Sequence, residues 1–222
     1  ILKGPSAIYT KLLKYLIAVS LFCSIYSISV SSDQLAAGKS AYARGDFSLA
    51  LRAFTPLANQ GNAEAQTLIG NLYENGLGVI KDEKLALDWY EKAGKGGNTK
   101  GQHNAGVFYY IGKGVGVNYP AAYEWFLRAT NYDYAPSQYM IGLMYHQGHG
   151  VAINFERARL WFLKAAKQGY ANAQFMYAYM VQAGEGEKSD PFRAMVWALI
   201  AEMNGKNDSV AITVPAGMTM SE

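Results

Sequence analysis

Apolar and polar residues recur along most of the chain with the period of an amphipathic helix. The stretch "AEAQTLIGNLYENG" at 63–76 predicts one such helix, and "KDEKLALDWYEKA" at 81–93 predicts a second after a glycine-rich turn. Asp82 is the predicted N-cap of the second helix. The first helix is expected to bury Ala65, Leu68, Ile69, Leu72 and Tyr73. The second is expected to bury Leu85, Ala86, Trp89, Tyr90 and Ala93.

This two-helix pattern returns every 36 residues, and all four tryptophans of the chain fall in one column of the repeat. A glycine also recurs inside the first helix, where it costs about 1 kcal/mol relative to alanine. Its recurrence therefore predicts a close approach of two helices. The predicted structural core of the repeat contains Gly70, Gly106, Gly142, Trp89, Trp125, Trp161 and Trp197. Because one pair cannot bury its own apolar face, we predict an all-α, right-handed superhelical solenoid of antiparallel helix pairs.

The glycine-rich turn is the feature most open to a different interpretation. At 76–81, "GLGVIK" combines two glycines with a lysine, as phosphate-binding loops do. Its glycines recur at 112 and 114, at 148 and 150, and at 184 and 186. The column of Lys81 instead holds Val117, Ile153 and Ser189. A turn that returns in every unit without its lysine is typical of a structural turn in which glycine takes positive φ.

These columns resemble the Sel-1-like repeat, a relative of the tetratricopeptide repeat. The pattern is A-x-A-Q-x-x-x-G-x-x-Y-x-x-G-x-G-V, followed by A-x-x-W-[YF]-x-x-A-x-x-G. The predicted boundaries are 33–62 for a tetratricopeptide-like N-terminal cap, 63–98, 99–134, 135–170 and 171–206 for four Sel-1-like units, and 207–222 for a C-terminal tail. Truncation is one interpretation of the tail, since Ser221 and Glu222 are compatible with the start of a further helix.

Residues 1–32 have the composition of a signal peptide or a membrane anchor. Lys3, Lys11 and Lys14 precede the uncharged run "YLIAVSLFCSIYSISV" and a group of small residues. The run is short for a spanning helix, so cleavage is favoured and anchoring stays as the alternative. The resemblance implies a bacterial periplasmic or secreted location, or a membrane-anchored protein that faces the periplasm. Membrane contact is expected only through residues 1–32, if they are uncleaved.

Charge and motif content exclude several classes of function. The three N-terminal lysines account for the formal net charge of +3, and the other 17 basic residues balance 17 acidic ones, so nucleic acid is not an expected partner. His146 and His149 lack the further ligands that zinc needs, so no metal and no cofactor is predicted. No catalytic motif is present either, and we expect no enzymatic activity.

In arrays of the family that the chain resembles, the first helices line a concave groove. Three columns on this face vary between units, which is typical of a binding surface. They hold Thr67, His103, Tyr139 and Phe175; Asn71, Val107, Leu143 and Tyr179; and Glu74, Tyr110, His146 and Gln182. Aromatic residues in a groove suit a protein or peptide partner. The alternative interpretation is that these residues pack between repeats.

The sequence thus predicts an exported scaffold or adaptor that captures a partner segment in its groove. The resemblance implies the same, since relatives act as adaptors in envelope processes and in host-facing secretion. A rival hypothesis is a cell-wall or β-lactam related ligand-binding or hydrolytic protein, an activity linked with cysteine-rich relatives. Their paired cysteines are missing here, because Cys23 is the only cysteine of the chain.

Overall fold

The computed structural model describes residues 12–17, 19 and 32–205, so most of the predicted signal segment and nearly all of the predicted tail lie outside the described residues. Residues 12–17 are helical, and the rest of the described chain consists of helices joined by turns. These helices are α1 (32–43), α2 (Phe47–Asn59), α3 (Ala63–Asn75), α4 (Glu83–Lys95), α5 (Thr99–Ile111), α6 (Tyr119–Thr130), α7 (Ala135–Gln147), α8 (Phe155–Ala166), α9 (Ala171–Ala183) and α10 (Pro191–Met203). None of the described helices is long and apolar enough to cross a bilayer.

Each helix packs on its neighbours in the chain, and each pair packs on the next. The pair α1–α2 is followed by α3–α4, α5–α6, α7–α8 and α9–α10, which we name units 1 to 4. The described chain contains no strand. The prediction of an all-α solenoid of helix pairs is therefore confirmed.

Helix ends follow the capping residues of the sequence. The Asp82 Oδ1 atom accepts a hydrogen bond from the backbone N–H of Leu85 at 2.9 Å, which confirms Asp82 as the N-cap of α4. The first helix of each unit ends at a left-handed glycine, such as Gly76 with φ 66°. Asp133 takes the place of a glycine after α6 and has the same left-handed backbone, with φ 52°.

A glycine of the first helix lies against an aromatic ring of the second. A Cβ atom on Gly142 would lie 2.7 Å from the ring of Phe162, closer than any side chain tolerates. The same contact joins Gly38 to Phe54, Gly70 to Tyr90 and Gly106 to Phe126. In unit 4 both positions are alanine, Ala178 and Ala198, so the glycine and the large ring are lost together. This contact is the close approach that the recurring glycine indicates.

The tryptophans are less enclosed than the aromatic residue that follows them. The side chain of Trp125 is 7% exposed while that of Phe126 is 0% exposed, and the other three tryptophans are only half-buried. The Trp125 ring reaches back to Gly94 in the preceding unit, and the Arg128 guanidinium covers it at 4.7 Å from the ring centroid. Trp125 thus bridges neighbouring units, and in units 1 to 3 the aromatic residue that follows the tryptophan forms the centre of the pair.

Two further contacts join neighbouring units. A Cβ on Gly114, the second glycine of its turn, would lie 2.6 Å from the carbonyl carbon of Glu83 at the start of α4. Gly78, Gly150 and Gly186 make the same approach to Phe47, Tyr119 and Phe155. A buried glutamine adds a hydrogen bond, since Gln102 Nε2 donates to the Gly94 carbonyl at 3.1 Å. Gln66 and Gln174 donate in the same way to the carbonyls of Ala58 and Ala166.

We expect the substitution Gly142→Ala to lower the free energy of unfolding by about 1–3 kcal/mol, because the added methyl overpacks the Phe162 ring. Chemical denaturation measures the change. Gly116→Ala is the control, since its Cβ meets nothing within 4 Å. Equal effects of the two substitutions would contradict the proposed contact.

Candidate functional site

The outer surface of α3, α5, α7 and α9 carries half-exposed side chains at helical spacing. We name it the first-helix face and define it by Leu68, Asn71, Asn104, Val107, Met140, Leu143, Met176 and Tyr179. Seven of these residues are partly buried, and Tyr179 is 44% exposed. The face begins with amides in units 1 and 2 and becomes apolar in units 3 and 4.

The three predicted groove columns lie in different surroundings. The column of Asn71, Val107, Leu143 and Tyr179 belongs to the first-helix face. In the column of Thr67, His103, Tyr139 and Phe175, Thr67 is buried and the others are half-buried. The column of Glu74, Tyr110, His146 and Gln182 is half-buried throughout. Several members of these last two columns contact the following unit.

Three residues of the last column bond to the middle residue of the next glycine turn. Their partners lie 39 positions further along the chain: Glu74 Oε1 with Lys113 Nζ at 2.7 Å, the Tyr110 hydroxyl with His149 Nδ1 at 2.9 Å, and His146 Nε2 with Glu185 Oε2 at 2.9 Å. Each junction has its own matched chemistry, namely carboxylate with ammonium, phenol with imidazole, and imidazole with carboxylate. The residue type in the column of Glu74 therefore changes together with that of its bonded partner in the next turn. Packing between units is enough to explain why this column varies.

In unit 1 a buried phenol engages two predicted groove residues. The Tyr90 hydroxyl lies 2.5 Å from both Asn71 Oδ1 and Glu74 Oε2. Burial and the hydrogen bond to Glu74 raise the pKa of Tyr90, so the phenol keeps its proton and acts as the donor. Glu74 therefore joins its own pair to the next unit, with Tyr90 on one side and Lys113 on the other.

The junction between units 2 and 3 is built from stacked rings. Tyr119 stacks on His149 with ring centroids 4.3 Å apart and an interplanar angle of 9°. Tyr110 contacts both rings and also donates to Gln147 Oε1 at 2.8 Å. Edge and stacked aromatic contacts of this kind each contribute about 0.5–1.5 kcal/mol beyond area burial. Tyr110 and His149 thus stabilise the junction between units 2 and 3.

His103 is enclosed between the same two units. Its Nδ1 atom lies 2.9 Å from the Ser137 hydroxyl, and the rings of Phe126 and Tyr134 lie 5.5 and 5.3 Å away. Burial lowers the pKa of His103 to about 4, because the charged imidazolium would lose its hydration. His103 is therefore neutral at physiological pH.

Four residues of the first-helix face lie outside the three predicted columns, namely Leu68, Asn104, Met140 and Met176. Each lies one helical turn before a member of the column of Asn71, so helical spacing alone would have located them. The face is also nearly uncharged. Helices α7 and α9 contain no Asp, Glu, Lys or Arg, and α5 contains only Lys100.

Metal-binding groups and cavities are the other kinds of site that the described part of the chain could form. There, no three His, Cys, Asp or Glu side chains come close enough to hold a metal ion. A cavity of about 360 Å³ lies beside the turn of unit 3. It is lined by Tyr145, Val151, Ala152, Ile153, Asn154 and Arg157. It opens between the end of α7 and the start of α8, and none of its lining residues belongs to the first-helix face.

Comparison with known proteins identifies the repeat. The family model described as "Sel1 repeat" matches residues 63–98, 99–131, 135–170 and 171–206, which together make up more than half of the chain. A comparison with curated protein sequences gave no match.

Two solved structures resemble the chain in both sequence and fold. A Sel1 repeat protein from Oxalobacter formigenes is 29% identical, with a TM-score of 0.75, over 88% of this chain and 82% of that one. A protective antigen present in uropathogenic Escherichia coli strains, displaying an SLR fold, is 32% identical, with a TM-score of 0.75. That match covers 79% of this chain but only 38% of the antigen.

The bond between Glu74 and Lys113 allows a test of the junction pairs. We expect Lys113→Glu to lower the free energy of unfolding by about 1–2 kcal/mol, since two carboxylates would meet at a partly buried position. Lys113→Met should have a smaller effect, because it keeps the apolar stem. The reversed pair, Glu74→Lys with Lys113→Glu, should recover part of the loss in a double-mutant cycle. Equal effects of Lys113→Met and Lys113→Glu would show that the pair contributes nothing.

His103 predicts a pH dependence of stability. The unfolded histidine binds a proton near pH 6.5, while the folded one resists it down to about pH 4. The contribution of His103 is therefore fully present above pH 6.5 and is lost as the pH falls toward 4, by about 2–3 kcal/mol. Urea unfolding of the wild type and of His103→Gln across this range isolates the effect. Parallel pH profiles of the two proteins would refute it.

Proposed function

The chain belongs to the Sel1 repeat family, and on that premise we propose that it is an exported scaffold whose first-helix face binds a segment of a partner protein. Sel1 repeat proteins are generally protein-interaction scaffolds. Export is proposed from the composition of residues 1–32, with a periplasmic or secreted location, and with anchoring through these residues as the alternative.

The main support for the proposal is the lack of charged side chains on the first-helix face, although these positions are partly exposed and could hold them. In units 2 to 4 the first helices hold one formal charge, Lys100, whereas α4 alone carries Glu83, Asp88 and several lysines. Charged residues are depleted at the cores of protein interfaces. A surface that stays half-exposed and uncharged over three units therefore favours contact with protein.

The side chains of the face indicate what kind of segment it accepts. Met140, Leu143, Met176 and Tyr179 offer apolar contact in units 3 and 4, and the thioethers of methionine adapt to irregular partner side chains. The Asn71 amide, whose Oδ1 atom accepts from the Tyr90 hydroxyl, can still donate through its N–H groups to backbone carbonyls of an extended or helical segment. We accordingly expect a partner segment that is apolar at one end and polar at the other, and that needs no charged side chains to bind.

The junction contacts give this face its rigidity. Glu74, Tyr110 and His146 join successive units, so the first helices hold their spacing before any partner arrives. Pre-organisation reduces the ordering that binding requires and so favours affinity. In this proposal the chain acts by recognition alone, with no catalytic step and no cofactor.

The test is affinity capture from an envelope extract with the full chain, identification of the captured protein, and titration of that protein against variants. Met140→Glu with Met176→Glu should weaken binding by about 100-fold, because each charge loses about 1–2 kcal/mol when it is buried in an apolar interface. Leu160→Glu on α8 is the matched control, since Leu160 is an exposed leucine on a second helix. Affinity should change little between low and high salt. Unchanged binding by the double variant, with helical content preserved, would refute the proposal.

A further inference from the structure

An arginine without an acidic partner lies in the wall of the cavity beside the turn of unit 3. Arg157 is the third residue of α8, and among the described residues it forms no ion pair. Its Nη1 atom donates a hydrogen bond to the Tyr145 hydroxyl at 3.3 Å, and the guanidinium lies 5.6 Å from the centroid of the Tyr145 ring. The repeat itself does not require an arginine here, because Leu85 and Ala121 hold this position in units 1 and 2.

The equivalent arginine of unit 4, Arg193, has two acidic partners. Its Nη2 atom lies 3.2 Å from Glu187 Oε1, and its Nε atom lies 3.4 Å from Asp190 Oδ2. The positions of these two acids in unit 3, 36 residues earlier, hold the uncharged residues Val151 and Asn154. Both of these residues line the cavity. Unit 3 therefore has the arginine and an open space beside it, and lacks both carboxylates.

The amide of Asn154 adds a hydrogen-bond donor beside this arginine. Asn154 Oδ1 accepts from the backbone N–H of Arg157 at 2.8 Å, as Asp190 Oδ1 accepts from that of Arg193 at 3.0 Å. The second side-chain atom of Asn154 is an NH2 group, whereas Asp190 has a second carboxylate oxygen. A guanidinium and an amide NH2 group are both donors, so they need an acceptor between them. Carboxylate oxygens are acceptors that form strong, charge-assisted hydrogen bonds with such donors.

Two phenols hold the arginine in place without neutralising it. The Tyr145 hydroxyl, which accepts from Arg157, lies 3.0 Å from the Tyr123 hydroxyl. Burial and the hydrogen bond to Tyr145 raise the pKa of Tyr123 to about 12, so this phenol is uncharged at physiological pH. The guanidinium of Arg157 is thus oriented by the pair of phenols and keeps its full positive charge.

The remainder of the cavity wall is apolar and belongs to the turn. It is formed by Val151, Ala152 and Ile153. The cavity volume of about 360 Å³ lies at the lower end of the range of roughly 300–1,000 Å³ that small-molecule sites occupy. Apolar walls with a few convergent polar groups are typical of such sites. The cavity therefore has the size and the lining for a small ligand that is partly apolar.

We propose that the cavity of unit 3 binds a ligand with a carboxylate and an apolar group. The carboxylate lies against the Arg157 guanidinium and the Asn154 amide, and it replaces the two acids that unit 4 carries in its own chain. The apolar group packs on Val151 and Ile153. A free small acid and the C-terminus of a peptide both present this chemistry. Because the cavity shares no residue with the first-helix face, the proposal is independent of the protein partner proposed above.

A nuclear magnetic resonance titration of the isotope-labelled full chain with N-acetyl-L-leucine tests the proposal. The backbone N–H signals of residues 151–154 should shift with a Kd of a few millimolar, as expected for about a dozen ligand atoms at roughly 0.3 kcal/mol each. The uncharged N-acetyl-L-leucinamide should bind about 10-fold more weakly, because it cannot form charge-assisted hydrogen bonds. Equal binding of acid and amide, or no shift up to about 20 mM acid, would overturn the proposal.

An arginine variant and its matched control locate the binding. Arg157→Gln should weaken binding of N-acetyl-L-leucine by about 10-fold, because the cationic donor is removed. Arg52→Gln should leave the affinity unchanged, since Arg52 is an exposed arginine of α2 that also forms no ion pair among the described residues. Equal affinities of the two variants would show that the acid binds elsewhere and would overturn the proposal.

A second variant gives unit 3 the acids of unit 4. Val151→Glu with Asn154→Asp should fold, because Glu187 and Asp190 hold the same positions beside Arg193, and Asp keeps the N-cap of α8. With helical circular dichroism unchanged, its affinity for N-acetyl-L-leucine should fall by about 10-fold, since the new carboxylates occupy Arg157. Undiminished binding would overturn the proposal.

A peptide probe distinguishes the two sources of the carboxylate. Acetyl-Ala-Ala-Leu carries the same terminal leucine and carboxylate as N-acetyl-L-leucine, with two further residues. If the site takes the C-terminus of a peptide, the longer probe should bind more tightly, because its added residues contact the protein outside the cavity. If the site takes a free small acid, the longer probe should bind more weakly. Binding of the peptide that is insensitive to Arg157→Gln would overturn the carboxylate site itself.

Discussion

The contact between a bare glycine on the first helix and an aromatic ring on the second sets the distance between the helices of each pair. The ring of Phe162 is completely buried only because Gly142 leaves room for it. Fully burying a phenylalanine side chain contributes about 1.5–3 kcal/mol, which exceeds the roughly 1 kcal/mol that a glycine inside a helix costs. Where the ring is absent, at Ala198, the glycine is absent too, because Ala178 then has space for its methyl group.

The contacts between pairs convert this local packing into a continuous surface. The second turn glycine, the buried glutamine and the bonds at an interval of 39 residues all lie at junctions, so each unit is positioned by its predecessor. The side chains that form these bonds hold neighbouring units together. On the first-helix face, Met140, Leu143 and Tyr179 hold no such bond to the next turn.

Part of the candidate site was accessible from the sequence. Columns that differ between units indicate the first helices, and the structure places Asn71, Val107, Leu143 and Tyr179 on the first-helix face. The columns of Thr67 and Glu74 vary between units in the same way, yet several of their residues bond across junctions. Variation between repeats has two sources, binding and paired packing, and the residue types Tyr, His and Glu occur in both. Searching for complementary partners at a second fixed interval would have separated Glu74, Tyr110 and His146 from the rest.

The helices, their caps, the period of 36 residues and the all-helical solenoid follow from the sequence alone, because these depend on local spacing and backbone preference. The sequence could not decide which aromatic of each second helix meets the glycine, since Trp125 and Phe126 are neighbours on one apolar stripe. Tertiary structure decided this, because only the angle between helices directs Phe126 toward Gly106 and Trp125 toward Gly94. It also decided which side of each second helix stays exposed, since exposure depends on what packs against the helix and not on the helix itself.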